Sequence, residues 1–124
     1  MTDDFPAPLL DEAKLCQWQD LLGLAKLQSL VGTYRASSAQ TFADLEAALA
    51  QENAERVGRM AHKIAGAAVN LGFVALYRQG KAAEAAASKG DRAEAFTQAR
   101  AMIHLQAASL KALEARLARD IQEK

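Results

Sequence analysis

Apolar residues recur at helical spacing along most of this chain. Phe42, Leu45 and Leu49 fall at i, i+3 and i+7, and Val57, Met60, Ala61, Ile64, Ala68 and Leu71 form a second stripe. A third, longer stripe runs through Phe96, Ala99, Ile103, Leu110, Leu113, Leu117 and Ile121. Runs of β-branched residues are absent and strong helix formers dominate. The two prolines, Pro6 and Pro8, lie ahead of all three stripes, so nothing later in the chain is barred from being helical. The pattern predicts an all-α fold.

Local signals place the helix ends. Asp11 caps a short first helix that runs to about Leu22, and Gly23 breaks it. A second helix covers about Leu24 to Ala50, with Gly32 to Ser38 as the stretch where it would fray or kink. Gln51-Glu52-Asn53 is a turn, and Asn53 caps a third helix from about Ala54 to Val69. Asn70-Leu71-Gly72 is a tight connection into a fourth helix, about Phe73 to Ser88. Lys89-Gly90-Asp91 ends that helix, and Asp91 caps the last one. Links this short favour antiparallel neighbours. The expected architecture is an antiparallel four-helix bundle with a short additional N-terminal helix, one domain over residues 1–124.

Composition narrows the classes of function. Hydrophobic residues make up 51% of the 124, enough for a real core. Fifteen basic and fifteen acidic residues cancel, which argues against nucleic acid or an anionic membrane as partner. A single cysteine, Cys16, allows no internal disulfide, and its plainest reading is a small half-buried residue. No apolar run approaches the roughly 18 residues of a transmembrane span. Met1 to Pro8 is short and acidic, unlike a signal peptide, so the expected location is the cytoplasm.

The chemistry points to the third helix. At about 100° per residue its apolar stripe clusters within about 60° of one direction, and His62 falls about 140° away. Gly66, one turn on, lies about 180° from that direction and Gly58, one turn back, about 100°. A glycine inside a helix costs roughly 1 kcal/mol against alanine, so two of them around one histidine suggest clearance for an approaching protein. Imidazole is substantially neutral near pH 7 and can act as a nucleophile if its tautomer is held. Glu84, on the following helix, is a candidate acceptor for the other ring nitrogen. Arg59 and Lys63 flank His62 with positive charge. A lone surface histidine is, however, most often only a solvated side chain.

The segment Ala61 to Glu84 resembles the histidine-containing phosphotransfer (HPt) family of two-component phosphorelays. The family motif reads approximately A-H-x-L-K-G, then L-G, then a leucine-rich helix ending in L-E. Ala61, His62, Ile64 and Gly66 match the first part and Leu71-Gly72 the second. Leu76 and Ala83-Glu84 match the third, with alanine in place of leucine. The resemblance implies His62 as the phosphorylated nucleophile, Glu84 as the residue that orients its imidazole and Gly66 as the clearance position. One departure stands out, since the family lysine three residues after the histidine is Ala65 here. Lys63 is then the expected source of charge for the phosphoryl group, with Arg59 a weaker substitute.

The implied function is a phosphorelay intermediate. It would accept a phosphoryl group from a receiver aspartate and pass it to another receiver. The expected partners are response-regulator receiver domains and a hybrid histidine kinase, met by a monomer. Arg59, Ala65, Gly66 and Val69 make the expected docking surface, with Trp18 bordering it. No cofactor or metal is expected on this chain, and Mg²⁺ would sit on the receiver. No kinase ATP-binding motif is present, so a phosphohistidine carrier with no kinase domain of its own is expected, either a stand-alone shuttle or a domain cut from a larger protein, with Met1 and the charged tail ending in Lys124 favouring the former. Two alternatives compete: an interaction module that binds a receiver or kinase without taking phosphate, kept open by Ala65, and a generic helical adaptor. His104 reads as a boundary residue, and the run from Glu114 to Asp120 as a solvated helix face.

Overall fold

A computed structural model describes residues 8–122, with side chains through residue 120. It contains α1 (Glu12–Leu22), α2 (Leu24–Ala50), α3 (Ala54–Asn70), α4 (Val74–Ser88) and α5 (Arg92–Gln122), and no strand among the described residues. The acidic stretch at residues 1–7, the side chain of Ile121 and the tail at Lys124 lie outside the described residues.

The helix starts are built by the expected caps. The Asp11 carboxylate accepts from the Lys14 backbone N–H at 3.1 Å, the Asn53 side chain from Arg56 at 3.1 Å and Asp91 from Glu94 at 3.2 Å. Each satisfies a donor that the first helical turn leaves without a partner. The end of α3 is closed by two crossed bonds. The Phe73 N–H donates to the Ala68 carbonyl at 3.0 Å and the Gly72 N–H to that of Val69 at 3.2 Å. Gly72 takes φ +79° there, a conformation that suits a residue without Cβ. The same bond pattern ends α2, where the left-handed residue is Glu52 at φ 54°.

α2 continues without a break through Gly32–Ser38, where the local signals suggested fraying. Tertiary contacts hold this stretch. Val31, Tyr34 and Ser38 are buried, and the Tyr34 hydroxyl donates to Gln106 Oε1 at 2.6 Å. The Gln106 amide donates in turn to Ser38 Oγ at 3.0 Å. The Tyr34 ring stands edge-on to Phe73, with centroids 5.3 Å apart. Around this pair the core collects Leu15, Leu27, Leu45, Val57, Leu76, Met102 and Leu113. Met60, expected in the α3 stripe, is only half-buried at its margin.

α1 lies over the α3–α4 turn. The Asp11 N–H donates to the Gly72 carbonyl at 2.8 Å, Lys14 Nζ donates to the Val69 carbonyl at 3.1 Å, and Leu15 is fully buried against Gly72. Its other tether is Arg116 of α5. The guanidinium donates to Glu12 at 2.8 Å, Gln19 at 3.0 Å and Asp120 at 3.4 Å, while Arg116 is only 8% exposed. The run from Glu114 to Asp120 is therefore not a wholly solvated face. A guanidinium can be buried when its fork of donors is satisfied, and here it is. Cys16 also departs from expectation: it is exposed, with Arg116 Nη2 3.5 Å from its sulfur.

α3 and α4 meet along a seam of small residues. As residue numbers rise on α3 they fall on α4: Gly58 faces Ala87, His62 faces Glu84 and Ala65 faces Gly80. A Cβ on Gly58 would stand 2.8 Å from the Ala87 Cβ. Gly58 is thus a packing residue, buried between two helices, and not clearance for His62. Among the described residues no helix is long and apolar enough to cross a membrane.

Candidate functional site

The close seam sets the geometry at His62. Because Gly58 and Gly80 let the helix backbones approach, the Glu84 carboxylate on α4 reaches the imidazole on α3. His62 Nδ1 lies 2.9 Å from Glu84 Oε2. The imidazole is about two-thirds exposed, at 67%, and the carboxylate one-third, at 33%. Glu84 has a second partner, since Lys81 Nζ donates to Oε1 at 2.9 Å. The hydrogen bond from Lys81 holds the Glu84 carboxyl below the usual carboxylate range against its partial desolvation, and His62 adds to the effect. Lys81 is raised in return by the same hydrogen bond and by the charge of Glu84.

This arrangement determines the tautomer. An ionised carboxylate only accepts hydrogen bonds, so the proton of the neutral ring sits on Nδ1. Nε2 then carries the lone pair, on a ring open to solvent. The arrangement suits a nucleophile that meets an electrophile arriving from outside the protein.

A shallow, open groove surrounds the ring. Glu55, Gly58, Arg59 and His62 line it from α3, and Glu84, Ala87 and Ser88 from α4. Arg59 is exposed and paired with Glu55 at 2.9 Å, so its charge at the groove is partly offset. Lys63 is exposed and makes no hydrogen bond or ion pair with the described residues. Gly66 is exposed, and a Cβ there would meet nothing within 4 Å.

Three expected docking residues are placed differently. Ala65 is 1% exposed and presents no surface, because its methyl fills the space over Gly80. Val69 is half-buried at the end of α3, where its carbonyl accepts from Lys14 of α1. Trp18 is half-buried on α1 and lines a separate depression with Lys14, Gln17, Asp20 and Leu21, apart from the His62 groove. Its indole Nε1 is buried with no hydrogen-bond partner. His104 is exposed on α5, and among the described residues no three His, Cys, Asp or Glu side chains converge as a metal site would require.

Sequence reasoning missed Lys81. The signal was available, since Lys81 and Glu84 stand three residues apart on one helix, a spacing that brings opposite charges together.

The Hpt domain family model matches residues 29–120. Two solved structures are similar over nearly the whole chain. One is the histidine-containing phosphotransfer protein B (HptB) of Pseudomonas aeruginosa PAO1, 26% identical, with a TM-score of 0.79, covering 91% of this chain and 97% of that one. The other is the histidine-containing phosphotransfer domain of ArcB from Escherichia coli, 20% identical, with a TM-score of 0.78, covering 90% of this chain and 95% of that one. No curated protein matches the chain in sequence.

Proposed function

The chain belongs to the Hpt domain family, and from that premise we propose that it is a phosphohistidine carrier of a two-component phosphorelay. In this reading α2 to α5 form an antiparallel four-helix bundle, one domain, with α1 as the additional helix over one end. The observation that carries the reading is the 2.9 Å contact from His62 Nδ1 to Glu84, which directs the lone pair of the exposed ring outward.

The step balances without further reagents. Nε2 of His62 attacks the phosphorus of a receiver's aspartyl phosphate. The P–N bond forms, the P–O bond to the aspartate breaks, and the aspartate leaves as its carboxylate. The Nδ1 proton stays on the ring, where Glu84 stabilises the positive charge that develops as Nε2 gives up its lone pair. Reversal onto a second receiver passes the group on. Positioning and charge neutralisation do most of the work in such transfers. Lys63 is the available cation nearest in sequence, and Mg²⁺ would be held by the receiver.

Receiver domains and a hybrid histidine kinase are the partners this reading implies, with the protein acting as a monomer. The exposed face of α3 at Arg59, Lys63 and Gly66 is the docking surface, and Val69 contributes only its exposed edge. The competing module that binds without taking phosphate is favoured by one observation: position 65 supplies no cation.

One experiment separates the two. The chain is mixed with a receiver phosphorylated on its aspartate, and the product is examined for acid-labile, base-stable phosphate. The carrier reading expects label on His62 and none on His62→Gln. Binding without label, or label on His104, would overturn it.

A further inference from the structure

Glu84 is held from both sides. One oxygen, Oε2, meets the His62 ring at 2.9 Å, and the other, Oε1, meets Lys81 Nζ at 2.9 Å. The two contacts share one carboxylate, so they are linked in geometry and in charge. A carboxylate bound only to His62 would be free to rotate about its last torsion. It would also place a full negative charge beside the ring and favour the imidazolium, which has no lone pair on Nε2 and cannot attack phosphorus. Lys81 opposes both effects.

The other charges near His62 do not do this. On α3, Arg59 is committed to Glu55, and Lys63 has no contact with Glu84. On α4 the neighbours along the groove are Ala87 and Ser88. Tyr77, one turn before Lys81, makes no hydrogen bond to Glu84. Position 65 is a buried alanine pressed on Gly80, so α3 supplies no cation there, and the lysine next along α4 is Lys81.

We propose that Lys81 is a positioning residue for the His62 nucleophile: by binding Glu84 Oε1 it fixes Oε2 on the ring and offsets the carboxylate charge that would otherwise favour the imidazolium. The proposal rests on the phosphohistidine reading for its consequence in transfer, but the effect on the ring belongs to the unphosphorylated protein and is measured without any partner. The Lys81 side chain is 46% exposed, so replacing it leaves the core intact.

The test uses the full chain as wild type, Lys81→Met and Lys81→Arg. Ring-proton NMR follows the titration of His62, and transfer from a phosphorylated receiver is timed across pH. Removing the cation leaves the Glu84 charge unopposed, so the His62 titration midpoint in Lys81→Met should move upward, by roughly half a pH unit for an exposed pair. Transfer should slow by up to about threefold on the acid side of the midpoint, where the ring is mostly protonated in both proteins, and the difference should vanish in alkaline buffer, where it is unprotonated in both. Lys81→Arg should restore the wild-type titration. In a Glu84→Gln background, Lys81→Met should shift nothing. An unmoved midpoint in Lys81→Met overturns the proposal, and so does slower transfer by one factor at every pH. A wild type that takes no phosphate removes the carrier reading instead, while the titration still decides the role of Lys81.

Discussion

Ala65 and Gly80 touch across the α3–α4 seam so closely that a Cβ on the glycine would lie 2.9 Å from the alanine Cβ and 3.1 Å from the Ala61 carbonyl. The contact makes position 65 part of the core, although the motif there elsewhere carries a lysine. It also sets the helix spacing that lets Glu84 reach His62. Gly80→Ala should therefore destabilise the fold despite the better helix propensity of alanine, by about 1–3 kcal/mol for overpacking a tight contact. Denaturant unfolding checks this, and the His62 ring should report a looser contact with Glu84 by NMR.

Gly66 should behave in the opposite sense. It has open space where Gly80 has none, so Gly66→Ala should stabilise the protein by about 0.5–1 kcal/mol. Gly66→Gln should keep wild-type stability or better and cut phosphotransfer, because the longer side chain stands beside the His62 face. Transfer at the wild-type rate by the glutamine variant would mean that Gly66 does not serve access.

Glu84→Ala removes the acceptor that selects the Nδ1–H tautomer. Loss of the carboxylate that orients a metal-bound imidazole costs about 10- to 100-fold, and a loss of transfer of that order is expected here. The fold should survive, since the carboxylate is one-third exposed and packs at the rim of the groove. Timed transfer from a phosphorylated receiver, together with an unchanged unfolding curve, tests both halves of the statement.

Arg116 should prove a structural residue. It is 8% exposed and joins α5 to Glu12 and Gln19 of α1. Arg116→Ala removes the hydrogen bonds to Glu12, Gln19 and Asp120 and the packing of the buried arginine stem, so a loss of about 1–3 kcal/mol is expected. The damage should be local to α1. Hydrogen exchange should speed up across Glu12–Leu22 before it does in α3 and α4.

Tyr34 gives the fold an alkaline limit. Burial pushes its phenol far above the ordinary value near 10, against the smaller opposite effect of its hydrogen bond to Gln106. A group raised on folding adds stability that is complete below its unfolded value and is lost as pH rises above it, through the folded value. Wild type should therefore lose stability above about pH 10. Tyr34→Phe should remove that part of the alkaline slope, at a loss of about 1 kcal/mol near neutrality from the missing hydrogen bond. Unfolding curves for both proteins from pH 7 into the alkaline range make the comparison.

Much of this protein is written locally in its residues. Asp11, Asn53 and Asp91 start helices, Gly72 and Gly90 follow their ends, and these signals act within a turn of the backbone, so they can be read in order along the chain. The outward phase of His62 follows from the period of α3 in the same way. What a small residue is for cannot be read this way. Gly58, Ala65 and Gly66 look alike in the sequence of one helix, yet the first two are packed under α4 and the third is open, because that depends on which helix lies across the seam. Arg116 looked solvated for the same reason: its partners lie about a hundred residues earlier, on α1. The continuous course of α2 past Gly32, and the two-sided grip on Glu84, were likewise decided only by tertiary structure. Packing and long-range charge pairing there outweigh the propensity and spacing that a single segment displays.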